Sequence, residues 1–389
     1  MNSKESKKRA WIVFAAVVAV GLGMLASAFL LLHKSGSEYI AVPQEQTASP
    51  IPLEPAPTTK PPCLHPSHDA LTGCCTACGE KVCHEYMSGE CSCGKKLEFT
   101  TSNFDSTLWD ACPHPGTVEK IEYSLSDVYY QDRKTYTKTM EVYLPYGYSA
   151  ENRYNVLVLL HGTKGDETYW FTKERGYEYN DGHVAEWGPF STVIDNMIDR
   201  KLCEPLIIVS PTYYLNDSER HSGDFLDRDI VRVRYELVNN IIPAVITNFS
   251  TYAEDASYAS MCAARDHFGI IGASYGGILT YKSAITYDID VFSWIGSVSG
   301  AYADVNFIEY MWNYLGYNSL DLHYLYTSAG DHDSMRKDAK DGYRQMLSSS
   351  KINESNICYC EIEDAEHEER VWDNALYNCL QFFFAGYNS

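Results

Sequence analysis

The chain has 389 residues, enough for one large catalytic domain with appendages. Its formal net charge of -21 excludes nucleic acid as a partner, because phosphate binding needs clustered Lys and Arg. Thirteen cysteines are too many for an ordinary cytosolic enzyme, and seven of them fall between Cys63 and Cys93.

The N-terminus opens with Lys4, Lys7, Lys8 and Arg9, followed by the uncharged run from Trp11 to Leu32. That run is long enough to cross a bilayer, and the preceding positive charge keeps the N-terminus in the cytoplasm and sends the rest outside. An uncleaved signal anchor is expected over residues 1–33. Ala26-Ser27-Ala28 offers a cleavage site as the alternative, and either reading exports the remainder. Residues 34–62 are rich in Pro, Thr, Ser and Gln and read as an extended linker.

Residues 63–98 read as a small Cys/His-rich module. Cys75-x-x-Cys78-Gly79 followed by Cys91-x-Cys93-Gly94 is similar to the paired knuckles of a zinc ribbon, with Cys75, Cys78, Cys91 and Cys93 as candidate ligands for a structural Zn²⁺. A disulfide knot is the competing reading, favoured by export. A segment this short needs one staple or the other. Residues 99–115 read as a connector.

From Gly116 onward the pattern changes. Val118 to Leu125 and Thr137 to Leu144 alternate apolar and polar residues, as half-buried antiparallel strands do. Tyr154 to Leu160, Leu206 to Ser210, Phe268 to Ile271, Phe292 to Ser299, Leu322 to Ser328 and Asn356 to Glu363 read as strands of a covered parallel sheet. Helical stretches fall at Pro189 to Leu202, Asp229 to Phe249 and Trp372 to Phe384. Strands alternating with helices predict an α/β class, a doubly wound and mostly parallel sheet over 116–389.

The strand at Phe268 to Ile271 runs into Gly272-Ala273-Ser274-Tyr275-Gly276 and then a helix-compatible segment. Strand, sharp turn and helix is the setting of the α/β-hydrolase nucleophile elbow, with Ser274 at the tip. A serine hydroxyl needs a base to take its proton and an acid to orient that base. In this fold they follow in the order Ser, acid, His. Asp331 and Asp333 lie after the strand at Tyr324 to Ser328, and His367 lies after the last strand. The oxyanion donors are expected to be the N–H groups of Tyr275 and of Thr163, in the loop His161-Gly162-Thr163. His161 reads as a brace for that loop.

These motifs, with Leu159-Leu160-His161-Gly162, Pro205 to Thr212, Ile241-Ile242-Pro243, Gly330-Asp331-His332-Asp333-Ser334 and Trp372 five residues after His367, resemble the feruloyl and acetyl-xylan esterases of carbohydrate esterase family one. The resemblance runs from Gly116 to the C-terminus. It implies that the acid is the Asp of Gly-x-x-Asp, hence Asp333. It also implies esterified plant polysaccharide, or its oligosaccharides, as substrate, with no cofactor for catalysis. Two departures stand out: Tyr275 replaces the family's Met after the nucleophile, and His367 sits among Glu366, Glu368 and Glu369. Trp170, Trp187, Tyr213 and Tyr214 are candidates for a sugar- or phenol-stacking rim, or simply members of a tyrosine-rich chain. An acyltransferase or siderophore esterase on the same scaffold, and a surface binding protein with an inert hydrolase domain, are the rival functions.

Overall fold

The computed structural model describes residues 86–87, 90–91, 98–125, 134–172, 175–178, 184–222, 227–300, 303–385 and 387. Eight strands form one mixed sheet. In chain order they are β1 (Thr117–Leu125), β2 (Tyr136–Leu144), β3 (Val156–Leu160), β4 (Ile207–Pro211), β5 (Phe268–Ala273), β6 (Trp294–Val298), β7 (Tyr324–Gly330) and β8 (Ile357–Ile362). Across the sheet the order is β8-β7-β6-β5-β3-β4-β2-β1. The strands from β8 to β4 run parallel, and β2 runs antiparallel to both β4 and β1.

The strand sequences explain this placement. β3 to β7 are buried along their whole length, because a parallel strand has helices on both faces. Alternate residues enter opposite cores. Val156, Val158 and Leu160 pack on one side with Leu237, Ile242, Val245, Leu279 and Ala284. Leu157 and Leu159 pack on the other with Val193, Met197, Val371, Ala375 and Leu380. The first set comes from α2 (Asp227–Glu236, continuing to Asn248) and α3 (Tyr275–Thr280, continuing to Ile285). The second comes from α1 (Ser191–Asp199) and from α6 (Glu369–Leu380). Two further helices, α4 (Val305–Tyr314) and α5 (Arg336–Met346), follow β6 and β7. α2 widens into a π turn at Leu237–Ile241, just before Pro243. Proline has no N–H for the ordinary helical bond, and the wider turn accommodates that gap.

After β3 the chain adds β4 on one side, then crosses back to lay β5 on the other. The crevice beyond the C-terminal ends of β3 and β5 is therefore the topological switch point, where open α/β sheets place their ligands.

Residues 99–115, read from sequence as a connector, are part of this domain. Phe99 packs edge-on against Tyr326, Phe104 stacks on Tyr377 at 4.9 Å, and Leu108 is buried. Asn378 of α6 exchanges hydrogen bonds with the Thr100 backbone in both directions, and Asn374 donates to Ser102 O. A hydrophobic count too low for a core concealed this, because two aromatic anchors, one leucine and a few side-chain-to-backbone bonds do the packing. The expected anchor at 1–33 and linker at 34–62 lie outside the described residues. Among the described residues no helix is long and apolar enough to cross a membrane. Of the Cys/His-rich module, only the backbone pairing of Tyr86–Met87 with Glu90–Cys91 is described.

One buried ion pair joins four parts of the fold. Lys138 Nζ of β2 lies 2.5 Å from Glu236 Oε1, just before the π turn of α2, with both side chains almost fully buried. Tyr123 of β1 donates to Glu236 at 2.6 Å, and Lys138 donates to Thr212 O just past β4. Removing one partner strands the other charge. A Lys138→Met variant is expected to lose about 3–5 kcal/mol of stability in chemical denaturation. A Lys138→Met/Glu236→Leu double variant, which leaves no stranded charge, should recover most of that loss.

Candidate active site

The turn from β5 into α3 is built by close approach. A Cβ on Gly272 would lie 2.1 Å from Gly276 O, and one on Gly276 would lie 2.6 Å from both Leu160 O and His161 O. Only hydrogen fits at either place, so the strand, the helix and the end of β3 can meet. Ser274 between them adopts φ 54°, ψ -119°. A non-glycine residue there costs on the order of 1–3 kcal/mol, which the surrounding bonds offset. Ser274 N donates to Val298 O at 2.8 Å, and Ile278 N donates back to Ser274 O at 3.1 Å.

Two loops bring the partners. His367, in the loop after β8, places Nε2 2.8 Å from Ser274 Oγ, and its Nδ1 is 2.9 Å from Asp333 Oδ1. Asp333, in the loop after β7, has a fully buried side chain, and the same oxygen accepts from Met335 N at 2.7 Å. An ionised carboxylate only accepts, so Nδ1 carries the proton and Nε2 presents a lone pair to the serine hydroxyl. The Trp372 ring stands edge-on to the imidazole at 5.7 Å. The sequence left Asp331 and Asp333 as alternatives until the resemblance selected Asp333. Asp333 is the one that reaches His367, while the Asp331 carboxylate accepts from Ala365 N.

The loop after β3 lies against the nucleophile, since a Cβ on Gly162 would sit 3.3 Å from Ser274 Cβ. The Gly162 carbonyl accepts from three donors: His161 Nδ1 at 2.7 Å, Tyr213 OH at 2.8 Å and Gly165 N at 3.2 Å. A trans peptide points its C=O and N–H in opposite directions. Pinning that carbonyl toward His161 and Tyr213 therefore turns the Thr163 N–H the other way. Tyr275 is the first residue of α3, so its N–H belongs to the donor-rich end of the helix. His161 is fully buried, and burial pulls its pKa down to about 4. It is a neutral brace, donating through Nδ1 while Nε2 lies 3.2 Å from Thr212 Oγ1.

Three of the four residues considered for a stacking rim have described side chains, and all three are buried. Trp170 is 1% exposed and meets Tyr169 edge-on. Tyr213 stacks on His161 with ring centroids 4.2 Å apart, and Tyr214 OH accepts from Lys164 N. The two tyrosines brace the loop while Trp170 packs in the opposite core, and none of the three is an exposed ring. Trp187 lies in a two-strand ribbon, Arg175–Glu178 with Val184–Trp187, of which only the backbone is described. The bracing by Thr212 and Tyr213 escaped the sequence reading. Its one trace was position, directly after a buried strand that neighbours β3.

Among the described residues, Asp331, His332 and Asp364 are a group whose ligand-type atoms lie within 4.8 Å of one another, on exposed or half-exposed side chains such as proteins often carry without an ion. The knuckle residues Cys75, Cys78 and Cys93, and the Cys91 side chain, lie outside the described residues.

The Esterase family model matches residues 136–321, which include Ser274 and end before Asp333 and His367. Endo-1,4-beta-xylanase Y of Acetivibrio thermocellus is 30% identical over 198 residues, 51% of this chain and 15% of that protein. The endo-1,4-beta-xylanase/feruloyl esterase of Xylanibacter ruminicola is 23% identical over 310 residues, 77% of this chain and 36% of that protein. The chain thus spans well under half the length of these curated relatives. Among solved structures, a feruloyl esterase module from Clostridium thermocellum with sinapinate bound superposes with a TM-score of 0.59 at 22% identity, covering 76% of this chain and 98% of that one. A CE1 ferulic acid esterase from Anaeromyces mucronatus superposes at 0.55 and 16%, covering 75% and 100%. Residues 136–321 thus match the Esterase family model, and the α/β domain has the fold of the CE1 feruloyl esterases.

Proposed function

We propose that the chain is a serine carboxylic-ester hydrolase that removes feruloyl or acetyl groups from plant xylan. The observation that carries the reading is the unbroken chain from Ser274 Oγ through His367 to Asp333, at 2.8 and 2.9 Å. His367 Nε2 takes the hydroxyl proton as Oγ attacks the acyl carbon, and Asp333 stabilises the imidazolium. The N–H groups of Tyr275 and Thr163 hold the oxyanion of the tetrahedral intermediate, a role worth roughly 3–4 kcal/mol per donor. The bond from the acyl carbon to the sugar oxygen then breaks, and His367 protonates that oxygen so that the sugar leaves as a free alcohol and an acyl-enzyme remains. Water attacks the acyl carbon with His367 again as base, and the free acid departs. No cofactor enters any step.

The substrate class rests on the relatives, which are named as xylanases and feruloyl esterases. The N-terminal apolar run and its basic flank support an enzyme held at the outer face of the membrane by a signal anchor, with the linker as a tether. The Cys/His-rich segment fits a small structural module held by Zn²⁺ or by disulfides.

Ser274→Ala is expected to lower kcat/KM by at least about 10⁴-fold. Methyl ferulate, p-nitrophenyl acetate and feruloylated arabinoxylan as parallel substrates test the acyl and sugar preference. Full activity in the Ala variant would sink the esterase reading. Asp333→Asn should cost about 10⁴-fold in kcat with little change in KM, because the amide favours the wrong imidazole tautomer.

His161 carries a separate pH signature. Its folded pKa lies below the unfolded value, so the unfolded state binds more protons between about pH 6.5 and 4. Its contribution to stability is present above that window and is lost as pH falls through it, by up to about 3 kcal/mol. Denaturation at pH 7 and at pH 4.5 should show the loss in wild type and a smaller pH dependence in His161→Gln.

A further inference from the structure

The base and the acid stand on separate loops, and only one bond of the triad joins those loops directly. What else holds them in register is visible two residues upstream of each. Asp331 precedes Asp333 by two positions, and Ala365 precedes His367 by two. The Asp331 carboxylate accepts from Ala365 N at 3.0 Å, and the neighbouring Asp364 N–H also favours its charge. Those two amides belong to a tight turn, because Asp364 has φ 50° in the left-handed region. The backbones are already at contact distance here: a Cβ on Gly330 would lie 2.1 Å from Ala365 O. His332 N donates to that same carbonyl at 2.9 Å, and Asp331 N donates to Ile362 O.

We propose that Asp331 is a positioning residue for the ester hydrolysis, its carboxylate latching the turn at Asp364 and Ala365 so that His367 is held between Asp333 and Ser274. It touches neither the substrate nor the reacting atoms. It acts by fixing where the imidazole sits, and it rests on the esterase reading above. The chemistry requires this degree of constraint. Proton transfer needs both imidazole nitrogens within hydrogen-bond reach at once, and a misplacement of about 1 Å costs on the order of 10²-fold in rate. The His367 side chain is 30% exposed, so packing alone leaves one side of it open. The carboxylate's bond to Ala365 N adds a side-chain tie to the backbone bonds His332 N to Ala365 O and Asp331 N to Ile362 O, so the turn is held at more than one point. Burial works against the charge on Asp331, but the backbone N–H groups of Ala365 and Asp364 and the nearby His332 hold the group below the usual carboxylate range.

Full-length enzyme with Asp331→Ala and with Asp331→Asn tests the proposal. In the Ala variant kcat should fall roughly 10- to 100-fold with KM within about twofold of wild type, since substrate contacts are untouched. The far-downfield proton resonance of His367 Nδ1–H, sharp in wild type, should broaden or vanish. The thermal midpoint should stay close to wild type. Asp331→Asn keeps an oxygen acceptor at the same place and should restore most of kcat and the resonance. A kcat within about twofold of wild type in the Ala variant overturns the latch. So does a loss that Asn fails to rescue, or a fall in kcat that only tracks a lowered melting temperature. Labelling of Ser274 by a fluorophosphonate separates the two readings. A wild type that is labelled, beside an unaltered Ala variant, refutes the latch alone. A wild type that is neither labelled at Ser274 nor active on any ester refutes the esterase reading and the latch with it.

Discussion

The site depends on how closely three pieces of backbone approach one another. β5, the start of α3 and the end of β3 converge at Gly272, Gly276 and the Leu160 and His161 carbonyls, at distances that admit no Cβ. That crowding forces Ser274 into a left-handed conformation and turns its side chain out over the switch point of the sheet. Once the serine stands there, the C-terminal ends of β7 and β8 are the places from which an acid and a base can reach it. The strand order β8-β7-β6-β5-β3 supplies those ends in sequence along one rim. The two-sided core holds the rim rigid, since alternate residues of β3 lock into opposite helical layers.

Polarity inside this fold serves position. Glu236 and Lys138 hold Thr212, whose hydroxyl lies within hydrogen-bond reach of His161. His161 and Tyr213 pin the Gly162 carbonyl, which turns the Thr163 N–H of the same peptide away from those two side chains. The aromatic rings near the site belong to this same bracing. A tyrosine-rich stretch close to a catalytic serine invites a stacking interpretation. Here, however, the rings of Tyr213 and Tyr214 face His161 and each other.

The sheet was legible in the chain because buried parallel strands are short unbroken apolar runs. The six parallel strands follow from that pattern and β1 and β2 from apolar–polar alternation, and the elbow follows from the strand that leads into it. α5 left no such trace: between Arg336 and Met346 its buried side is only Ala339, Gly342 and Met346, a stripe too small to mark a helix. The triad was legible as an order of residue types along the chain, but the choice between Asp331 and Asp333 was not. Two carboxylates two positions apart in a turn differ only in which loop atom each one meets, and that is a property of the neighbouring loop. The burial of Trp170 was hidden for the same reason, since an aromatic side chain carries no mark of which way its strand or turn will point it.

The segment before β1 gives the domain an upstream edge that composition does not announce. Phe99, Phe104 and Leu108 form part of the wall behind α6, and Glu363, next to the turn that leads to His367, donates its N–H to Thr101 O. Whatever tethers the N-terminal side of this chain therefore enters the domain beside the loop that bears the base. A fragment cut at Gly116 would strip one side from that helix and leave its aromatic lining bare to water. The smallest autonomous unit is thus marked by where Phe99 lies, well ahead of the first strand.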